Sequence, residues 1–162
     1  MTRIAEIFPA HHAQILKLNR DFVHWLSPLD EMGLDYILSH AEYARKIDGG
    51  VGILIGYAHD VDYPKHANLR WLKTRINNFF YIDRIIIDLS AHGTGLGQLL
   101  YADIEDFARS RGHDFLACEV NIIPNNPSSH RFHLKAGFEA LGEQVFTDEK
   151  AVRYYAKALK PS

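Results

Sequence analysis

The segment Leu89-Ser-Ala-His-Gly-Thr-Gly-Leu-Gly-Gln98 constrains the fold of this chain more than any other. It joins the most strand-like stretch, FFYIDRIIIDL (79–89), to the clearest amphipathic helix, expected from Gly95 to Arg111. The strand is a near-continuous apolar run, which predicts burial on both faces at the centre of a sheet. In the helix, Leu96, Leu99, Leu100, Ile104, Phe107 and Ala108 mark one face. Arg109 and Arg111 sit at the end where cations favour the dipole, and Gly112 ends it. Glycines at 93, 95 and 97 occupy the turn between. Such a turn leaves unpaired N–H groups at a helix N-terminus and lets an anion approach the backbone closely. The pattern predicts a diphosphate cradle; the plainer alternative is a tight turn that uses glycine only for positive φ. A P-loop is excluded because no lysine follows, and the dinucleotide fingerprint needs G-x-G-x-x-G at the first βα turn.

The rest of the chain patterns around that unit. Residues 3–8 predict a short strand, and 9–25 an amphipathic helix with Pro9 in its first turn and Ile15, Leu18, Phe22 and Leu26 on one stripe. A second helix is expected over 31–40, then strands over 43–48 and 52–58 about Gly49-Gly50. Residues 60–78 read as a polar excursion of one or two helical turns over the active face. A buried strand (115–121), a short helix (128–136) and two closing strands (138–146 and 151–159) follow. The order implies one domain over residues 1–162, of α/β or α+β class with a sheet flanked by helices.

Composition narrows the function. Eighteen Lys+Arg against 20 Asp+Glu give a net charge of −2, which removes the positive field expected of a nucleic-acid binder. No stretch approaches the length of a membrane span, and the N-terminus lacks a signal-peptide pattern. The single cysteine, Cys118, cannot form an internal disulfide, so a cytoplasmic setting is expected. Ten histidines are the unusual count. His130 and His133 stand three apart, but with no carboxylate or cysteine at matching spacing no metal site is expected.

H-G-T-G-L-G-Q-L-L (92–100) resembles the R-G-x-G-[IL]-G-x-x-L stretch of the GNAT N-acetyltransferase superfamily, and N-P-S-S-H-R-F-H-L-K-A-G-F (126–138) resembles its second signature, N-x-x-A-x-x-x-Y-x-x-x-G-F. The wider wording C-E-V-N…P-N-P-S-S…F-H-x-x-x-G-F, which starts at Cys118, is similar to a subgroup of predicted bacterial acetyltransferases. The resemblance implies a mixed, mostly antiparallel sheet splayed between its fourth and fifth strands, with acetyl-CoA as co-substrate in the gap. It implies that the backbone of Ile85, Ile86 and Ile87 holds the acetyl and pantetheine portion, that Gly93, Thr94, Gly95, Leu96, Gly97 and Gln98 wrap the pyrophosphate, and that Asn126 contacts the pantetheine side. His92 stands where the family opens its loop with Arg or Gln, which suggests a CoA affinity that depends on pH.

Acetyl transfer to an amine needs a base for the ammonium proton and an acid for the departing thiolate. Glu119 lies in the middle of an apolar strand, where desolvation would raise its pKa into a useful range. A Glu in a similar context serves as base in the ribosomal-protein alanine acetyltransferases, although this chain needs a two-residue insertion to match. The plainer reading is a structural carboxylate paired with Arg84. Asp83 and Tyr81 compete as base, and Asp83 reads equally well as half of an ion pair with Arg84. Asn121 shares the face of Glu119. His133 replaces the family's tyrosine acid, either as proton donor or as a residue that hydrogen-bonds CoA or packs.

The expected activity is transfer of acetyl from acetyl-CoA to a primary amine, a small metabolite or a peptide N-terminus, by direct attack. The alternative is a non-catalytic acyl-CoA-binding module of the same fold. The expected partners are acetyl-CoA and an amine acceptor, with no nucleic acid or membrane, and a homodimer is left open. Asp30, Glu31, Tyr63, His66, Arg70, Trp71 and residues 143–149 are expected to rim the acceptor groove.

Overall fold

Hydrophobic patterning sets the element order seen in a computed structural model of the chain, which describes residues 3–159. The ends of the expected domain, residues 1–2 and 160–162, lie outside the described residues. The elements are β1 (Ile4–Glu6), α1 (His12–Asp21) entered through a 3-10 turn at Pro9–His11, α2 (Glu31–His40), β2 (Tyr43–Ile47), β3 (Gly52–Ala58), α3 (Ala67–Lys73), β4 (Phe79–Ile87), α4 (Leu96–Ser110), β5 (Phe115–Ile123), α5 (Pro127–Lys135), β6 (Glu139–Thr147) and β7 (Lys150–Ala158). The sheet runs β1-β2-β3-β4-β5-β7-β6. It is a mixed α/β fold, mostly antiparallel, with a parallel pair at β4 and β5. That parallel ladder pairs Phe79–Tyr81 with Phe115–Ala117, three residues of two nine-residue strands, as the splayed sheet requires.

The described chain groups into two units, whose boundaries fall inside β3, β4 and α4. One takes the described residues up to Tyr57 together with Ile82–Ile104. Within it β1 and β3 flank β2 antiparallel, and every residue of β3 is buried. Ile15 and Leu18 of α1, Leu34 and Ile37 of α2, and Leu100 and Ile104 of α4 are likewise buried. Each such side chain contributes about 1.5–3 kcal/mol on leaving water. Asp30 caps α2 by accepting the Gly33 N–H at 2.7 Å.

The other unit takes Ala58–Tyr81 together with the described residues from Glu105 on. β7 lies between β5 and β6, with Cys118 opposite Tyr155 and Glu119 opposite Tyr154 across one ladder, and Gly142 opposite Tyr154 across the other. Because side chains alternate, Glu119 and Tyr154 share one face and Cys118 and Tyr155 the other.

Most boundaries move by a residue or two from the sequence reading, β1 shrinking from 3–8 to Ile4–Glu6, and three of the differences have a clear account. The helix expected to Trp25 stops at Asp21, because the buried Asn19 amide donates to the Ser27 carbonyl at 2.9 Å and draws residues 22–26 into turns. β4 stops at Ile87, because the Asp88 carboxylate accepts the Ser90 N–H at 2.9 Å and starts a 3-10 turn. β5 runs on two residues further, to Ile123.

Candidate functional site

The glycine loop folds as the sequence requires. Gly93 (φ +79°) and Gly95 (φ +82°) are left-handed, while Gly97 lies in the first turn of α4. The Thr94 hydroxyl donates to the Ala91 carbonyl at 2.5 Å and pins the turn. A β-carbon placed on Gly93 would meet nothing within 4 Å, and one on Gly95 only the Gln98 Oε1 at 3.6 Å. The loop is therefore open in front of its backbone, beside a helix N-terminus whose first N–H groups have no intrahelical partner. That arrangement fits the diphosphate of a CoA thioester.

His92 does not extend the loop outward. Its Nε2–H donates to the Ile87 carbonyl at 2.7 Å, and its ring stacks on Phe22 at 5.9 Å. The ring ties the loop to the end of β4, and it occupies the carbonyl of one of the three isoleucines, Ile85 to Ile87, expected to hold pantetheine.

Asp83 is engaged at both oxygens. The Tyr57 hydroxyl donates to Oδ1 at 2.6 Å, and Arg84 Nε lies 3.2 Å from Oδ2, with both charged side chains about nine-tenths buried. The Arg84 guanidinium in turn donates through Nη1 to Asn19 Oδ1 at 2.6 Å and to the Ser27 carbonyl at 3.2 Å. This chain of polar contacts fixes the connection between α1 and α2. Beside it lies a cavity of about 590 Å³ lined by Asn19, Arg20, Val23, Pro28, Leu29, Asp30 and Gly33.

The second unit carries Glu119. The Tyr81 hydroxyl donates to Glu119 Oε1 at 2.5 Å, a length typical of a charge-assisted bond. Tyr154 stands opposite, its hydroxyl 2.7 Å from the Asn68 amide and 2.9 Å from that of Gln144. Burial and the nearby Glu119 charge push the Tyr154 phenol well above its usual range. The 60–78 excursion covers this face. Trp71 stacks on Tyr154 at 4.0 Å, Arg75 lies over Trp71 at 4.6 Å, and His66 meets Tyr81 edge-on at 5.1 Å. Gly142 makes room for the stack, since a β-carbon there would come within 2.8 Å of the Trp71 ring. Next to Glu119 on the same face, the Asn121 side chain accepts from Lys150 Nζ at 2.6 Å.

His133 lies on the other face, stacked on Tyr155 at 5.9 Å and 3% exposed. Its Nδ1–H donates to the Ser129 carbonyl at 2.8 Å. Burial pulls its pKa down to about 4, so the imidazole is neutral at pH 7. The ring thus makes the packing contact that is one of the roles the sequence leaves open for His133, beside proton donor and CoA hydrogen bond. Asn126 caps α5, accepting from the Ser129 N–H at 3.4 Å. Cys118 is buried, and burial pushes its thiol pKa up, away from a nucleophilic thiolate. Among the described residues no cluster of three or more His, Cys, Asp or Glu is placed to hold a metal ion, and no helix is long and apolar enough to cross a membrane.

Tyr154 and Lys150 are the residues of this face that sequence reasoning missed. Both sit on β7, and only the ladder with β5 brings them to Glu119 and Asn121; a strand's partner and register leave no local signal in its own residues.

The profile of the acetyltransferase (GNAT) family matches residues 14–138. No curated protein matches the chain in sequence. Among solved structures, the chain is similar to Ard1 from Thermoplasma volcanium (14% identity, 99% of each chain covered, TM-score 0.79). It is also similar to the ribosomal-protein-S18-alanine N-acetyltransferase from Escherichia coli (13% identity, 100% of this chain and 96% of that one, TM-score 0.73). A third is yncA of Salmonella typhimurium, a putative acetyltransferase solved with its cofactor acetyl-CoA (15% identity, 100% and 96% covered, TM-score 0.69). At these identities the likeness is one of fold. With a profile match over most of its length and both signature stretches in place, the chain belongs to the acetyltransferase (GNAT) family.

Proposed function

We propose that the protein is an N-acetyltransferase that moves the acetyl group of acetyl-CoA onto a primary amine, with Glu119 as general base. The observation that carries this reading is the Glu119 carboxylate, held at 2.5 Å by the Tyr81 hydroxyl on a face walled by Trp71 and Tyr154. Acetyl-CoA supplies the activated acetyl group as a thioester. The positive-φ loop at Gly93 and Gly95, with Thr94, Leu96, Gly97 and Gln98, holds the pyrophosphate through backbone N–H groups. Ile85 and Ile86 offer β4 backbone to the pantetheine, and Asn126, at the start of α5, keeps the position of the asparagine in the family's second signature. Glu119 Oε takes a proton from the acceptor ammonium, the amine nitrogen forms a bond to the acetyl carbon, and the carbon–sulfur bond breaks. A thiolate is a competent leaving group, and the second proton that the new C–N bond leaves on nitrogen passes to it through water as the amide forms. His133 keeps α5 packed on Tyr155 in this reading, and Asp83 serves the ion pair that fixes the α1–α2 connection. The single cysteine, which cannot form an internal disulfide, favours a cytoplasmic setting.

The test is free-thiol release from acetyl-CoA over a panel of amines and peptides, with wild type, Glu119→Gln and His133→Phe. Loss in Glu119→Gln with turnover kept in His133→Phe is expected. Full activity in Glu119→Gln overturns the base assignment, and acetyl-CoA binding with no release from any acceptor favours the binding-module alternative.

A further inference from the structure

We propose that Lys150 selects the acceptor, and that the acceptor carries a carboxylate a few bonds from its reacting amine, as an amino acid does. The inference rests on the transferase reading above, with Glu119 as base.

Lys150 is the first residue of β7, beside the turn that joins it to β6. A lysine at a hairpin end ordinarily stretches its stem along the surface and leaves its ammonium in water. This one turns inward, donating from Nζ to Asn121 Oδ1 at 2.6 Å. Asn121 is a firm anchor. Its residue is 6% exposed, and its carbonyl accepts the His130 Nε2–H at 2.9 Å, while His130 Nδ1 accepts from the Tyr155 hydroxyl at 2.6 Å. Asn121 is two residues beyond Glu119, so both side chains leave β5 on one face. Burial lowers the pKa of the Lys150 ammonium, and the Glu119 charge opposes that shift. The ammonium is thus partly stripped of water and held beside the base.

An ammonium has three donors. Among the described residues Lys150 makes one protein hydrogen bond, to Asn121, which leaves two N–H groups for a ligand. A fixed cation beside the base acts in opposite directions on two kinds of acceptor. It repels an acceptor whose only charge is its ammonium, the form that reaches Glu119 before deprotonation. It attracts one that brings a carboxylate next to the amine, because the two N–H groups then meet a counter-charge while the amine faces Glu119. A peptide N-terminus has an amide at that position and gains nothing from Lys150. The choice between a small metabolite and a peptide therefore falls to the metabolite.

CoA release is to be compared for the common amino acids and their carboxamides on wild type, Lys150→Gln and Lys150→Arg. Binding of N-acetyl amino acids and of their amides in the presence of CoA, measured by calorimetry, gives a readout that needs no turnover. The expected result is a carboxylate preference of about tenfold or more in kcat/KM, equivalent to about 1.4 kcal/mol. Lys150→Gln removes the preference mainly through KM, and Lys150→Arg, which keeps the charge, retains it. Equal use and equal binding of the two forms, or a preference that survives in Lys150→Gln, overturns the proposal. Turnover of carboxamides or peptides without a carboxylate preference overturns selection by Lys150 and leaves the transferase reading standing. Absence of CoA release from every acceptor overturns the transferase reading, while the binding comparison still decides Lys150.

Discussion

Lowering the pH should destabilise this protein through one imidazole, and the size of the effect follows from its burial. His133 is 3% exposed, and burial holds its pKa at about 4, against 6.5 for a free histidine. The unfolded chain therefore binds a proton between pH 6.5 and 4 that the folded chain refuses. The stability is fully present above pH 6.5 and is lost as the pH falls through that window, because protons drive the equilibrium toward the state that binds them. From pH 7.5 to 4.5 the loss from this residue alone is about 2.5 kcal/mol, rising to about 3.4 kcal/mol once the pH is well below 4. The assay is denaturant unfolding of wild type and His133→Phe at a series of pH values. Phenylalanine forfeits the hydrogen bond to the Ser129 carbonyl at every pH, but it carries no proton. The gap between the two proteins should therefore shift by about 2.5 kcal/mol in favour of the variant on going to pH 4.5. Parallel stability curves would refute the reasoning and restore His133 as a group that titrates near neutrality.

Other perturbations test the remaining parts of the account. Tyr81→Phe removes the donor at 2.5 Å from Glu119. A hydrogen bond to a charged group contributes about 1.5–3 kcal/mol, so kcat/KM should fall by roughly 10- to 100-fold. Gly93→Ala meets no neighbour within 4 Å but must hold φ at +79°. The left-handed strain of about 1–2 kcal/mol should appear as weaker acetyl-CoA binding by calorimetry. Arg84→Met leaves Asp83 without its ion-pair partner at a site about nine-tenths buried, and denaturant unfolding should report a loss of about 3–5 kcal/mol.

What could be read from the sequence was what depends on local spacing. The 3–4-residue apolar stripe predicted α4, the short second helix appeared over 31–40, and the glycine turn marked the helix N-terminus, because each is set by neighbours along the chain. Glu119 stood out as a carboxylate in an apolar strand. What could not be read depended on contacts far apart in sequence. Asn19 ends α1 early through the carbonyl of Ser27 and through Arg84, 65 residues away. Tyr154 and Lys150 reach Glu119 and Asn121 only through the β5–β7 ladder. His133 keeps the position of the family's tyrosine, but the environment that sets its proton affinity is assembled from Ser129, Phe138 and Tyr155. Four of the ten histidines show roles set by surroundings: His92 ties a loop, His130 and His133 pack against Tyr155, and His66 caps α3.

The central claim is that Glu119 removes the proton from the acceptor amine of an acetyl transfer. Single-turnover acetyl transfer measured on wild type and Glu119→Gln, with acetyl-CoA affinity determined in parallel, tests it most directly. Unchanged acetyl-CoA affinity and a transfer rate lower by about 10²- to 10⁴-fold, the usual contribution of a positioned general base, are expected. A Glu119→Gln enzyme that transfers acetyl at the wild-type rate would contradict it.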